Sequence, residues 1–156
     1  MGIYCRVHAV PAADVSRLFN PRQHSQDPTT TSTISLEKAW HGLHFLLTGQ
    51  AHGGTAPLSF LVDGGQAVGD PDEWGYGPPR VFTPAEVLAL HSALAGISPE
   101  QLWSRYDPGQ MEEVYPQIWD EPEEELREEY LTYFRTLKEL IASAASKGQA
   151  IVVVFS

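Results

Sequence analysis

The chain has 156 residues, 42% of them hydrophobic and 19% charged, enough for one domain with its own core and too apolar for a disordered chain. Ten Lys and Arg against twenty Asp and Glu leave a formal charge of −10, a field that repels phosphate backbones and anionic lipid and makes nucleic acid and membrane surfaces poor partners. The single cysteine, Cys5, excludes an intrachain disulfide and a multi-cysteine zinc site, and no 18-residue apolar run is present to span a bilayer.

Met1 to Arg6 lacks the apolar core of a secretory signal, and Arg6 stands where a myristoylation pattern needs Ser or Thr, so a cytoplasmic location is expected. From Gly2 to Val10, Ile3, Cys5 and Val7 alternate with Tyr4, Arg6 and His8, which predicts a strand. Pro11 fits the first turn of a short helix to about Phe19, with Val15, Leu18 and Phe19 on one side. Asn20 to Thr33 carries Pro21, Pro28 and a Thr29-Thr30-Thr31 run with almost nothing to bury, the pattern of a flexible loop. Ser35 reads as the N-cap of a helix from Leu36 to Leu47, on which Leu36, Trp40, Leu43 and Leu47 share a face, and Gly49 closes it. Gln50 to Arg80 is rich in glycine and proline; only Leu58 to Val62 reads as buried, and Val81-Phe82 as a brief extended segment.

Three helix starts follow. Thr83-Pro84-Ala85-Glu86 and Ser98-Pro99-Glu100-Gln101 place a hydroxyl at the N-cap, proline at N1 and Glu or Gln at N3. Asp107-Pro108-Gly109-Gln110 is a weaker version, predicting a short helix around Met111 to Val114. From about Pro122 to Lys147, Leu126, Tyr130, Phe134, Leu137, Ile141 and Ala144 step by three or four and mark one buried face of a long helix, with Gly148 at its C-terminal end. The unbroken apolar run Ala150 to Phe155 predicts a central strand covered on both faces. Together these elements predict an α+β fold: a single compact domain whose small sheet is built from N- and C-terminal strands and packed by several helices.

The opening Met1-Gly2-Ile3-Tyr4, the element Trp40 to Gly49 with its Trp-x-x-x-His-Phe-x-x-Thr-Gly pattern, Gly75 to Arg80, Tyr115-Pro116 with Trp119, and the final helix into Ile151-Val152-Val153-Val154 occur in that order. In these the chain resembles the YfbM-like family of small bacterial proteins, a domain-of-unknown-function family, over nearly its whole length. The resemblance implies one α+β domain in a bacterial cytosol and supplies no reaction. Relatives among toxin–immunity modules make a protein-binding, immunity-type role an expectation of the resemblance.

The candidate site residues are Trp40, His44, Trp74, Tyr76 and Arg80. His41 and His44 lie three apart on the predicted helix, with His52 beyond its end, so three imidazoles could meet on a metal. Against this, no carboxylate sits between them and His41 is expected to face solvent; no metal and no cofactor are expected. For His44 the competing reading is a packed imidazole bonded to a backbone carbonyl. Trp74 to Arg80 sets two aromatics and a guanidinium on a stiff Gly/Pro loop, where Arg80 could grip an anion or simply pair with a neighbour. Glu112 to Glu129 holds nine carboxylates against Arg127 alone, either a docking surface for a basic partner or a solvated face. Cys5, on a strand, reads as inert packing, and no nucleophile elbow or nucleotide loop is present.

A non-enzymatic binding module follows, with the Trp40 helix and the Trp74 to Arg80 loop forming a groove for a small anionic ligand or a protein partner. The alternative is an enzyme using His44 as general acid or base, with Tyr76 and Arg80 orienting an anionic substrate.

Overall fold

The computed structural model describes residues 2–15, 32–69 and 76–156. Among the described residues five strands form one antiparallel sheet: β1 (Cys5–Val10), β2 (Ser32–Glu37), β3 (Gln66–Ala67), β4 (Arg80–Phe82) and β5 (Ala150–Phe155). Their order is β2-β1-β5-β4-β3, so the two ends of the chain make the centre of the sheet. Four α-helices are described: α1 (Trp40–Thr48), α2 (Pro84–Ala95), α3 (Pro99–Trp103) and α4 (Glu123–Ser146). The α+β expectation holds. No described helix is long and apolar enough to cross a membrane.

The apolar run of β5 is explained by its two neighbours and two faces. Ile151 and Val153 join Cys5, Val7 and Ala9 of β1 in the main core beneath the helices. Ala150 and Val152 point the other way, into a smaller cluster with Val10, Val68 and Val81. Both faces of this strand are thus buried, which an alternating sequence would not allow.

α4 runs where its stripe predicts, and Leu126, Tyr130, Phe134, Leu137, Ile141 and Ala144 are all buried. Each large apolar side chain so buried contributes about 1.5–3 kcal/mol. Gly148, just past the end of this helix, has a φ of 64° that lets Gln149 N–H reach back to the Ala144 carbonyl at 2.9 Å. α2 and α3 begin at Thr83 and Ser98 with both reciprocal bonds of the capping box in place. α1 crosses α4 at Gly42, where a Cβ would stand 2.7 Å from Trp119 and 2.8 Å from Tyr130, so only glycine permits this approach.

Two expectations are corrected. Ser35 is not a helix cap: it lies in β2 opposite Arg6, and its hydroxyl bonds the Glu37 carboxylate at 3.0 Å. Ile34 and Leu36 alternate into the core from an edge strand that β1 recruits, and Glu37 (φ 49°) turns the chain so that α1 starts only at Trp40. Met111 and Val114 are buried, but in turns; Asp107 accepts the Gly109 N–H at 3.1 Å, and this local bond replaces a helix start. Leu58 to Val62 is a series of turns with Phe60 and Leu61 buried. Of the helix expected from Pro11, a single 3-10 turn at Ala12–Asp14 is described, and residues 16–19 lie outside the described residues. The same holds for residues 20–31 of the expected loop, while Ser32 and Thr33 already pair with Ala9 and His8.

Candidate functional site

Trp40 opens α1 and braces the start of the chain. Its indole N–H donates to the Ile3 carbonyl at 2.9 Å, while the Ile3 N–H donates to the Tyr115 hydroxyl at 3.0 Å. The indole stacks on His41 (ring centroids 5.2 Å, 11° between planes) and on Tyr115 (5.8 Å, 29°), and Phe155 meets it edge-on at 4.8 Å. Both backbone groups of Ile3 are therefore held by side chains more than thirty positions away.

His41 is buried rather than turned to solvent, which corrects the expectation. Tyr115 N–H donates to its Nδ1 at 2.9 Å, so that nitrogen carries no proton. The ring proton sits on Nε2 and donates to the Ala51 carbonyl at 2.7 Å. Burial holds its pKa below the usual histidine value; the Ala51 carbonyl opposes this, and His52 adds to it. This polarity argues against a metal. A ligating Nε2 would leave Nδ1 facing an N–H donor, which demands an imidazolate, the reverse of the usual arrangement in which the second nitrogen donates. Among the described residues no three His, Cys, Asp or Glu side chains are placed to hold a metal ion.

His44, one turn further along α1, has no exposed surface, and neither ring nitrogen has a hydrogen-bond partner. The backbone of Gly53 lies beside the ring, short of hydrogen-bond geometry. Burial above all, then His41, lowers its pKa to about 4, with a further lowering by His52 and opposing effects of the Gly53 backbone and Asp63. The ring is neutral and sealed, which does not support His44 as a general acid or base: a proton shuttle must reach the atom it serves.

Arg80 starts β4, and its guanidinium is already engaged. Nη2 donates to the Leu61 carbonyl at 2.6 Å and Nη1 to the Gly64 carbonyl at 3.2 Å, with the Phe82 ring 5.7 Å away. Burial lowers its pKa, against the effects of Cys5 and Asp63. Arg80 thus clasps the turns at residues 55–65 to the sheet and has little left for an outside anion. Asp63 acts electrostatically on both Arg80 and His44, so a carboxylate lies near both of these expected site residues. Tyr76 is 50% exposed and makes no hydrogen bond among the described residues. Trp74 lies outside the described residues.

The partners that the sequence does not announce are mostly backbone: the carbonyls of Ala51, Leu61 and Gly64 and the amide of Tyr115. Asp63 alone carried a readable sign, an acid among glycines, and nothing linked it to Arg80.

The nine carboxylates between Glu112 and Glu129 are all exposed, and among the described residues none is ion-paired. Glu123 accepts the Trp103 indole N–H at 3.2 Å, and Trp103 stacks on Tyr106 at 4.4 Å and 9°. Partial desolvation of its carboxylate, followed by the nearby Glu121, raises the pKa of Glu129. Trp103 and Trp119, 8% and 9% exposed, belong to the core and not to a stacking platform.

Residues 1–154 match a protein family described as Domain of unknown function (DUF1877). Among solved structures, the crystal structure of YfbM from Escherichia coli, a protein of unknown function, is similar with a TM-score of 0.69 and 20% sequence identity, covering 98% of this chain and 99% of that one. At that identity the likeness is one of fold. No curated protein matches the chain.

Proposed function

The chain belongs to the DUF1877 family, and on that premise we propose that it is a non-enzymatic binding module whose acidic face, at the start of α4, docks a basic protein partner. One observation carries this reading: nine exposed carboxylates are concentrated within eighteen residues around Arg127, a net of −8 out of the chain's −10, with no intramolecular ion pair among the described residues. Held on the rigid first turns of α4 and the turns before it, like charges of this density raise the local potential and steer a cationic surface into contact. A basic toxin, met by this chain in an immunity-type role, is one partner of that chemistry. A small anionic ligand has less support, since Arg80 is spent on carbonyls, His44 is sealed, and the remaining exposed charge repels anions.

The test compares the tagged protein with a Glu124→Lys, Glu125→Lys, Glu128→Lys variant in capture from the native host, read by mass spectrometry. All three carboxylates are exposed, so the fold survives the exchange. The reading expects a basic protein to follow the wild type, to be released as salt rises, and to be lost from the variant. Equal capture by both proteins contradicts it, and so does a small molecule in place of a protein.

A further inference from the structure

The segment after α1, residues 49–54, is folded back over that helix and fastened by imidazoles. Gly49, Gly53 and Gly54 take left-handed φ values of 77°, 75° and 117°, which make the reversal possible. His41 holds the Ala51 carbonyl through Nε2–H and the Tyr115 amide through Nδ1, so one neutral ring joins α1, the 49–54 loop and the turn at Tyr115. A second proton on this ring would meet the Tyr115 N–H head-on, and that bond must break to admit it. His44 lies beneath the same loop, beside the Gly53 backbone, without an acceptor for either nitrogen and without contact to water. The charged and titratable groups around the two rings are His52 from the loop and Asp63 from the turns at residues 55–65. His41 lies 5.6 Å from His52 and 6.5 Å from His44, ring centre to ring centre, so each imidazole resists a charge on the next.

We propose that this cluster is an acid-sensitive latch: neutral His41 and His44 keep the 49–54 loop closed on α1, and their protonation frees the loop and the Tyr115 turn while the sheet and α4 stay folded. The sign follows from linkage. Closed, His44 has its pKa lowered to about 4, mainly by burial; released into water it returns towards 6.5. The open form takes the proton first, so opening gains ground as pH falls below 6.5 and the gain ends near 4. Between pH 7.5 and 4.5 the closed-to-open equilibrium shifts by about 70-fold through His44 alone.

Backbone hydrogen exchange of the wild-type protein, read by NMR over that range and corrected for the intrinsic rate, tests the latch. The reporters are Tyr115 N–H, which bonds His41, and Gly49 N–H, which bonds the Phe45 carbonyl at the hinge; Leu137 and Ile141 in α4 are the reference. Protection at the reporters is expected to fall by tens of fold while the reference amides keep theirs. In His44→Leu, or His44→Met if the first variant does not fold, the fall shrinks to the share due to His41. Reporter protection that stays constant, falls together with α4, or falls equally in the variant overturns the proposal.

Discussion

Replacing His44 by leucine is expected to stabilise the protein. The ring has no exposed surface and two nitrogens without partners, and a buried unsatisfied polar group costs about 1–3 kcal/mol. Leucine is of similar volume, and volume-conserving exchanges in a core cost less than about 1.5 kcal/mol. The net expectation at pH 7.5 is a gain of about 1–2 kcal/mol, or roughly 2–8 °C in Tm for a chain of this size. Acid widens the gap. The folded pKa of His44 is lowered from 6.5 to about 4, so the wild type holds this share of its stability above pH 6.5 and loses it progressively down to pH 4, at most about 3 kcal/mol. The variant has no such loss. Urea denaturation at pH 7.5, 5.5 and 4.5, followed by far-UV circular dichroism, measures both effects. A variant destabilised by more than about 1 kcal/mol at pH 7.5, with a difference independent of pH, would refute the reasoning, because the ring would then be hydrogen-bonded and equally protonated in both states.

Gly42→Ala is expected to cost about 1–3 kcal/mol in urea, since its Cβ would collide with the rings of Trp119 and Tyr130; an unchanged midpoint contradicts the close crossing of α1 and α4. Arg80→Met leaves the Leu61 and Gly64 carbonyls without their donor and is expected to cost about 1–3 kcal/mol, with faster proteolysis between residues 55 and 65. Burial pushes the Cys5 thiol up to about 12, so at pH 8 it should resist a thiol reagent until urea unfolds the chain; rapid labelling of the native protein would contradict its burial.

What the sequence made legible was local. The hydroxyl, proline and Glu or Gln of the starts at Thr83 and Ser98 carry their own hydrogen-bond partners, so those helices could be read without knowledge of the fold. The stripe of α4 needs only its own period. Ser35 and Leu36 form a strand in place of the expected helix because their state is settled by β1, some thirty positions away, and a serine before an apolar residue suits a strand edge as well as a cap. Asp107 failed as a helix start because its side chain found a nearer amide. At the candidate site the residue names Trp40, His44 and Arg80 stand in the sequence, and the structure gives them structural contacts: Trp40 braces Ile3, His44 is sealed in the core and Arg80 clasps the turns at residues 55–65. Their partners were not legible, because those of Trp40 and Arg80 are backbone carbonyls brought over from other segments, and no residue name records a carbonyl's direction. His44 is the reverse case, a polar ring whose partner is missing.

The imidazoles of α1 serve the architecture, and the proposed recognition lies on the acidic face instead. Nitrogen-15 NMR of the histidine side chains across pH tests the first half directly. The expected result is the Nε2–H tautomer for His41 and a His44 ring that stays neutral well below pH 6. A His44 that titrates near 6.5 in the folded protein would place that ring in water and return it to the list of groups able to do chemistry.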